Sequence, residues 1–323
     1  MARRRSWWTA AATATAVLLS CLAVPSSASG AEPEVVRRTT VAERMVDLEI
    51  RSPALGTTAP VRILLPEKWD EQPSRTWPVL YLLHGCCTPV DYRSWTEWTD
   101  VEQFTADKDV LVVMPSDGPA GMYSQWWNQG RTPLPDWESF HLDEVREVLE
   151  RDYRAGQRRA VAGLSIGGYG AMAYAFRRRG MFDAAASYSG AVDILQGSTP
   201  TGIQSILISQ NLGPFDLWGQ EHANRLMWMA HNPADNAEDL RGVELYVSCG
   251  NGEPGPLDPP GQEYEAHEKS SLDSSRSFTD RLRQHGVPVT TNYYGNGTHA
   301  WEYWERELHA SWPLLARGMG LVP

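Results

Sequence analysis

The nine residues Ala160-Val161-Ala162-Gly163-Leu164-Ser165-Ile166-Gly167-Gly168 constrain this chain more than any other stretch. A short apolar run followed at once by a glycine-rich segment reads as a buried strand that turns sharply at Ser165 and enters a helix. The pattern Gly-x-Ser-x-Gly puts a glycine two residues to either side of the serine. In so tight a turn the neighbouring backbones come close, and side chains at 163 and 167 would collide with them. The serine hydroxyl is then lifted above a sheet edge, at a helix N-terminus whose free N–H groups favour developing negative charge. That is the geometry of an acyl-transfer nucleophile. The plainer alternative is a glycine-rich turn carrying an ordinary serine.

The surrounding pattern supplies a sheet for that turn. Val46, Leu48 and Ile50 alternate with charged residues, as in a half-exposed strand, and Val61 to Leu65 reads as its hairpin partner. Val79 to Leu83 and Val110 to Met114 are continuous apolar runs, expected of strands covered on both faces. Ala184 to Ser189, Val243 to Cys249 and Val287 to Tyr294 complete the series. Helical spacing marks Trp98 to Phe104, Phe140 to Tyr153, the segment after Ser165, a stretch through Phe278 and Leu282, and Trp304 to Leu315. Ala191 to Leu240 is broken by Pro200, Gly213-Pro214 and Asn232-Pro233, and reads as an irregular insertion over the top of the sheet. Antiparallel strands leading into alternating strands and helices predict an α/β-hydrolase fold: a mostly parallel central sheet with helices on both faces. Chemistry in such sheets sits beyond the carboxyl ends of the strands, where His84, Ser165, Cys249 and His299 all fall.

The first residues read as something other than fold. Arg3 to Arg5 precede an apolar, alanine-rich run from Ala10 to Val24, and Pro25-Ser26-Ser27-Ala28 offers small residues for cleavage. Residues 1–28 therefore read as a secretory signal peptide, with residues 29–323 as a single catalytic domain and the protein as secreted. Leu18-Leu19-Ser20-Cys21 faintly resembles a lipoprotein box, a second route that would anchor Cys21. The 323-residue chain has a formal charge of −11, and losing the three leading arginines takes it to about −14. That balance argues against nucleic acid and anionic membrane as partners. No second hydrophobic span is visible, so no stable membrane span is expected. Of the remaining cysteines, Cys249 and the pair Cys86–Cys87 should end strands about three positions apart, roughly 14 Å, too far for a bridge. A ring between adjacent cysteines is uncommon, and free, small, buried thiols are the expectation. Fourteen tryptophans is a high count. Several, Trp98, Trp126, Trp127, Trp301 and Trp304 among them, fall in loops, where they either line a cleft or plug the periphery.

A serine hydroxyl needs a base within hydrogen-bond reach. His299 follows the last strand and precedes the closing helix, the place this fold gives its base. His84 also ends a strand but precedes the expected oxyanion loop, so it is expected to shape the pocket. The acid that steadies the base should lie between Cys249 and His299. Glu253, Asp258, Glu263, Glu265, Glu268 and Asp273 all qualify, and residue chemistry alone does not choose among them. Two backbone donors are needed for the oxyanion. The N–H of Ile166 is one, and the N–H of Cys86 is the best fit for the other. No Cys/His grouping has ligand spacing, so neither metal nor organic cofactor is implied.

Three segments together resemble the mycobacterial mycolyltransferase (antigen 85) family, within the esterase D-like esterases: Gly163 to Gly168, Ser248-Cys249-Gly250-Asn251-Gly252, and the long run Gly295-Asn296-Gly297-Thr298-His299-Ala300-Trp301-Glu302-Tyr303-Trp304. The resemblance implies a Ser-Glu-His triad. Its acid lies about ten residues before a helix phenylalanine, which from Phe278 selects Glu268. It also implies that Trp301 lies beside the substrate cleft, where Trp126 is expected as well. One departure stands out: the family's Asp-Gly-Leu-Arg, which helps hold trehalose, is here His84-Gly85-Cys86-Cys87. The implied function is a secreted serine carboxylic-ester hydrolase acting on a small-molecule or lipid ester. The alternative is an acyltransferase with a sugar or glycerolipid acceptor. A third reading, a non-catalytic surface-binding relative, fits members that have lost the triad, which this chain retains.

Overall fold

β-Branched and aliphatic residues dominate the middle strands, and alternate side chains of one strand enter different cores. In Trp77–Leu83, Val79, Tyr81 and Leu83 join one apolar cluster while Leu80 and Leu82 join another. A strand apolar on both faces must be covered on both, and a nine-stranded sheet with helices on each side is what the computed structural model contains. It describes residues 32–132 and 135–322. The export signal expected over residues 1–28, with Cys21, lies outside the described residues.

The strands are β1 (Glu34–Thr40), β2 (Met45–Ser52), β3 (Thr57–Leu64), β4 (Trp77–Leu83), β5 (Leu111–Pro115), β6 (Ala155–Leu164), β7 (Ala184–Tyr188), β8 (Glu244–Cys249) and β9 (Thr290–Tyr293). They lie in the order β1-β2-β3-β5-β4-β6-β7-β8-β9. The first three pair antiparallel, as do β3 and β5; from β5 to β9 every pairing is parallel. This is the α/β-hydrolase arrangement.

The helices are α1 (Ser94–Trp98), α2 (Val101–Phe104), α3 (Trp137–Ser139), α4 (Arg146–Asp152), α5 (Ile166–Arg177), α6 (Thr199–Ser209), α7 (Arg225–His231), α8 (Ala266–Gln284) and α9 (Trp301–Gly318), with a π-helical turn Phe140–Val145 joining α3 to α4. Val148 and Leu149 of α4, Tyr169 and Met172 of α5, and Phe278 and Leu282 of α8 fill one core. Trp95, Val101, Leu308, Trp312 and Leu315 fill the other.

The segment read as irregular between Ala191 and Leu240 contains α6 and α7. Pro200 breaks nothing there, because it sits in the first turn of α6, where a missing N–H costs no hydrogen bond. The cysteine expectation needs a larger correction. Cys86 and Cys87 are joined as a vicinal disulfide, and only Cys249 is free among the described residues. The left-handed backbone at Cys87 (φ 67°) helps bring two adjacent side chains to the same side.

Candidate active site

Five parallel strands each deliver a residue to one rim immediately or shortly after they end. His84 follows β4, Ser165 follows β6, Ser189 follows β7, Gly250 follows β8, and His299 comes six residues after β9. Because β6 lies between β4 and β7, the serine is flanked by the loop carrying Gly85–Cys86 on one side and by Ser189 on the other.

Ser165 has φ 54° and ψ −123°, a region costing a non-glycine residue about 1–3 kcal/mol. Its N–H is held by the Tyr188 carbonyl at 2.9 Å. The flanking glycines are needed on steric grounds. A Cβ at Gly163 would sit 2.2 Å from the Gly167 carbonyl oxygen, and one at Gly167 would sit 2.4 Å from that of Leu83. Helix α5 starts at once, so the Ile166 N–H precedes any intrahelical partner. Among the described residues, no hydrogen bond takes up the N–H of Ile166 or of Cys86.

Glu268 occupies the first turn of α8 and is fully buried. Its Oε2 accepts from His299 Nδ1 at 2.7 Å. Its Oε1 accepts from the Gly250 N–H (2.6 Å), the Ser189 hydroxyl (2.8 Å), the Cys249 thiol (3.2 Å) and the Tyr294 hydroxyl (3.3 Å). Burial pushes this carboxyl up, but the His299 ring and the Gly250 and Ser189 donors outweigh it and hold it below the ordinary range. Burial and the Glu268 charge push the Cys249 thiol well up, so it stands as a protonated donor.

Three of the other carboxylates in the segment have different partners. Glu265 accepts the His299 backbone N–H at 2.6 Å. Asp258 takes the hydroxyls of Thr298 and Tyr303. Asp273 pairs with Lys269. The loops after β8 and β9 are zipped together by Asn251 N–H to Gly295 (2.8 Å), Gly252 N–H to Gly297 (3.0 Å) and Gly297 N–H to Glu253 (2.7 Å). The imidazole of His299 therefore hangs from a doubly anchored loop, with Trp304 edge-on at 4.8 Å. The Trp304 Nε1–H donates to Ser189 Oγ at 3.1 Å, so the Ser189 proton is directed to Glu268.

A cavity of ≈ 890 Å³ opens over this rim. Ser165, His299, Cys86, Ile166 and Trp301 all line it, as do Trp98 and the facing sides of α6 and α8. Two expected residues do not. Trp126 is a correction: it is 5% exposed, packs in the core and donates its Nε1–H to the Gly121 carbonyl at 2.9 Å. Trp98, 41% exposed and 4.9 Å from Trp301, takes the cleft place instead. His84 is likewise absent from the lining; its ring is buried behind the loop that Gly85, Cys86 and Cys87 present to the cavity. Ser189, Tyr294 and Trp304 carry roles that residue reasoning missed. A serine at a strand end gave the only available signal for the first. His141 is a buried structural histidine, bonded to Tyr174 and the Ser116 carbonyl, and burial lowers its pKa to about 3.

A serine on a strained strand-to-helix turn, lining a cleft that a carboxylate-bound histidine also lines, in a mostly parallel sheet with helices on both faces, defines the class: an α/β hydrolase. The chain belongs to the Esterase family, whose model matches residues 52–315. It is 31% identical over 240 residues to Esterase Rv1288 of Mycobacterium tuberculosis, a match covering 73% of this chain and 51% of that protein. The chain thus spans about half the length of that relative. It is 30% identical over 257 residues to the diacylglycerol acyltransferase/mycolyltransferase Ag85B of Mycolicibacterium smegmatis, covering 75% and 77% of the two chains. Among solved structures it is similar to MPT51 (FbpC1) of Mycobacterium tuberculosis, with a TM-score of 0.69 and 24% identity over 84% of this chain and 96% of the other. No described helix is long and apolar enough to cross a membrane.

Proposed function

We propose that this chain is an exported serine carboxylic-ester hydrolase. Ser165 Oγ attacks the ester carbonyl while His299 takes its proton on Nε2. Glu268 holds the Nδ1–H and steadies the imidazolium. The oxyanion forms against the N–H groups of Cys86 and Ile166. Collapse expels the alcohol, which leaves with the proton from His299. Water, deprotonated in turn by His299, cleaves the acyl-enzyme and releases the acid. Residues 1–28 serve export and residues 29–323 form the catalytic domain.

The observation that carries this reading is the 2.7 Å contact between His299 Nδ1 and the buried Glu268, with His299 and Ser165 lining one cavity. The contact fixes which nitrogen holds the proton and so leaves Nε2 free to act as base. The decisive test is Ser165→Ala: loss of both p-nitrophenyl ester turnover and fluorophosphonate labelling is expected, and unchanged labelling would refute the nucleophile.

The Ag85B similarity supports a second reading, acyl transfer to a sugar or glycerolipid in place of water. Both routes share the acyl-enzyme. A labelled acyl donor offered with candidate acceptors separates them: free acid alone favours hydrolysis, and a labelled acceptor favours transfer. A chromogenic ester series of rising chain length would then measure how much of the cleft the acyl group fills.

A further inference from the structure

The Gly85–Cys86 peptide faces two ways. Its N–H end is the donor assigned above to the oxyanion, and its carbonyl end accepts from His84 Nδ1 at 2.7 Å. A carbonyl has no proton to give, so Nδ1 carries one. The opposite ring nitrogen, Nε2, lies 2.8 Å from Asp91 Oδ1, a close approach whose alignment falls short of a linear hydrogen bond. The imidazole is thus bonded at Nδ1 to the Gly85 carbonyl and lies against the Asp91 carboxylate at Nε2, while only 3% exposed.

This arrangement is itself supported. Asp91 has left-handed backbone (φ 46°), its N–H donates to Thr88 Oγ1 at 3.0 Å, and its carboxylate receives the Asp117 N–H at 3.4 Å. The His84 carbonyl accepts from the buried Tyr123 hydroxyl at 2.8 Å. Asp91, Asp117 and Tyr123 lie behind the loop and do not line the cavity; Thr88, part of the loop itself, does.

We propose that His84 is a positioning residue for the oxyanion hole: its Nδ1–H, held in place by Asp91, fixes and polarises the Gly85–Cys86 peptide so that the Cys86 N–H meets the tetrahedral oxyanion. The physical basis is amide cooperativity. A proton donated to the carbonyl oxygen draws charge through the C–N bond, makes the N–H at the other end a stronger donor, and sets the plane in which it points. This rests on the reading of Ser165 as nucleophile and Cys86 as donor, and it assigns the first half of the His-Gly-Cys-Cys segment a task that needs no contact with substrate.

Two isosteric variants separate the ring's two contacts. The Asn amide of His84→Asn can reach where Nδ1 stands and keep a donor on the Gly85 carbonyl. The longer Gln of His84→Gln reaches toward Asp91 and gives that donor up. Removing an oxyanion donor outright costs about 10²–10³ in kcat. A donor misaligned but present should cost less, on the order of 10–100-fold. For His84→Gln, kcat for a p-nitrophenyl ester is expected to fall by that factor with KM within about twofold. Affinity for an alkylboronic acid, whose tetrahedral adduct on Ser165 mimics the oxyanion, should fall in parallel. His84→Asn should recover most of both. Thermal midpoints of both variants establish that they are folded. A folded His84→Gln with unchanged kcat and boronate affinity would overturn the proposal, as would equal losses in both variants. Persistent turnover by Ser165→Ala would instead sink the underlying catalytic reading, so the two failures are distinguishable.

Discussion

Glu268→Gln replaces a carboxylate that accepts five hydrogen bonds by an amide that can accept on one side only. The amide has two orientations. With its oxygen toward His299, its NH2 group would face the Gly250 N–H, a backbone donor 2.6 Å away that cannot reverse. It would also face the Ser189 hydroxyl, whose proton is kept pointing inward by the Trp304 indole N–H. That orientation leaves a buried donor against donors, costing about 1–3 kcal/mol for each group left unsatisfied. With its oxygen toward Gly250 and Ser189, the NH2 group meets His299 Nδ1, and the ring need only move its proton to Nε2. The second orientation wins because a tautomer changes more easily than a backbone. Its consequence is chemical: Nε2 now carries a proton and cannot take one from Ser165. The same tautomer error in a serine protease triad costs about 10⁴ in kcat. We expect a loss of about 10³–10⁴ here, or about 4–5.5 kcal/mol of transition-state stabilisation at 1.36 kcal/mol per tenfold. KM should change little. Steady-state turnover of a p-nitrophenyl ester, with a thermal melt to show that the variant is folded, measures it. A folded Glu268→Gln that keeps kcat within tenfold of the parent would refute the tautomer argument and the role given to Glu268.

Other outcomes follow from the same geometry. Gly167→Ala drives a Cβ to within 2.4–2.5 Å of the Leu83 and His84 carbonyls; overpacking of this kind costs about 1–3 kcal/mol, read as a fall in urea midpoint, and activity should fall with it because the oxyanion loop is what must move. An unchanged midpoint would contradict the packing. The folded-state pKa of Glu268 is depressed below 4.5, so its contribution to stability is full above the unfolded value and is lost as pH falls through the folded one. Urea midpoints of the parent should therefore drop on acidification below about pH 4.5 more steeply than those of Glu268→Gln, and parallel slopes would count against that charge. Residues 29–323, unfolded without reductant, should show one titratable thiol, Cys249, and three after reduction; three at the outset would rule out the Cys86–Cys87 bridge.

What the sequence exposes and what it hides divide along a physical line. Ser165 and His299 are legible because local backbone geometry dictates their neighbours: glycines that no side chain can replace, and a place between the last strand and the closing helix. The acid proposed to partner His299 is not legible in that way. Six carboxylates share its segment, and Glu268 is distinguished by donors arriving from β7, β8 and the loop after β9, a convergence no local pattern encodes; a family resemblance supplied the choice. Strand β1 escaped because it pairs on one side only and is exposed along both faces, leaving no apolar alternation to read. Helix α6 was masked by Pro200 and Gly202, although Ile203, Ile206 and Leu207 follow the helical period. Trp126 and Trp98 carry the same side chain, and only the path of the chain buries the first in the core and opens the second, at the end of α1, to the cleft. The same line explains His84. Its position after β4 marked it as important, but its use depends on which of its nitrogens meets a carbonyl. If His84→Gln loses activity where His84→Asn does not, the residue acts from behind the cleft through the peptide that lines it, at the place where the chain departs from the Asp-Gly-Leu-Arg of the family it resembles.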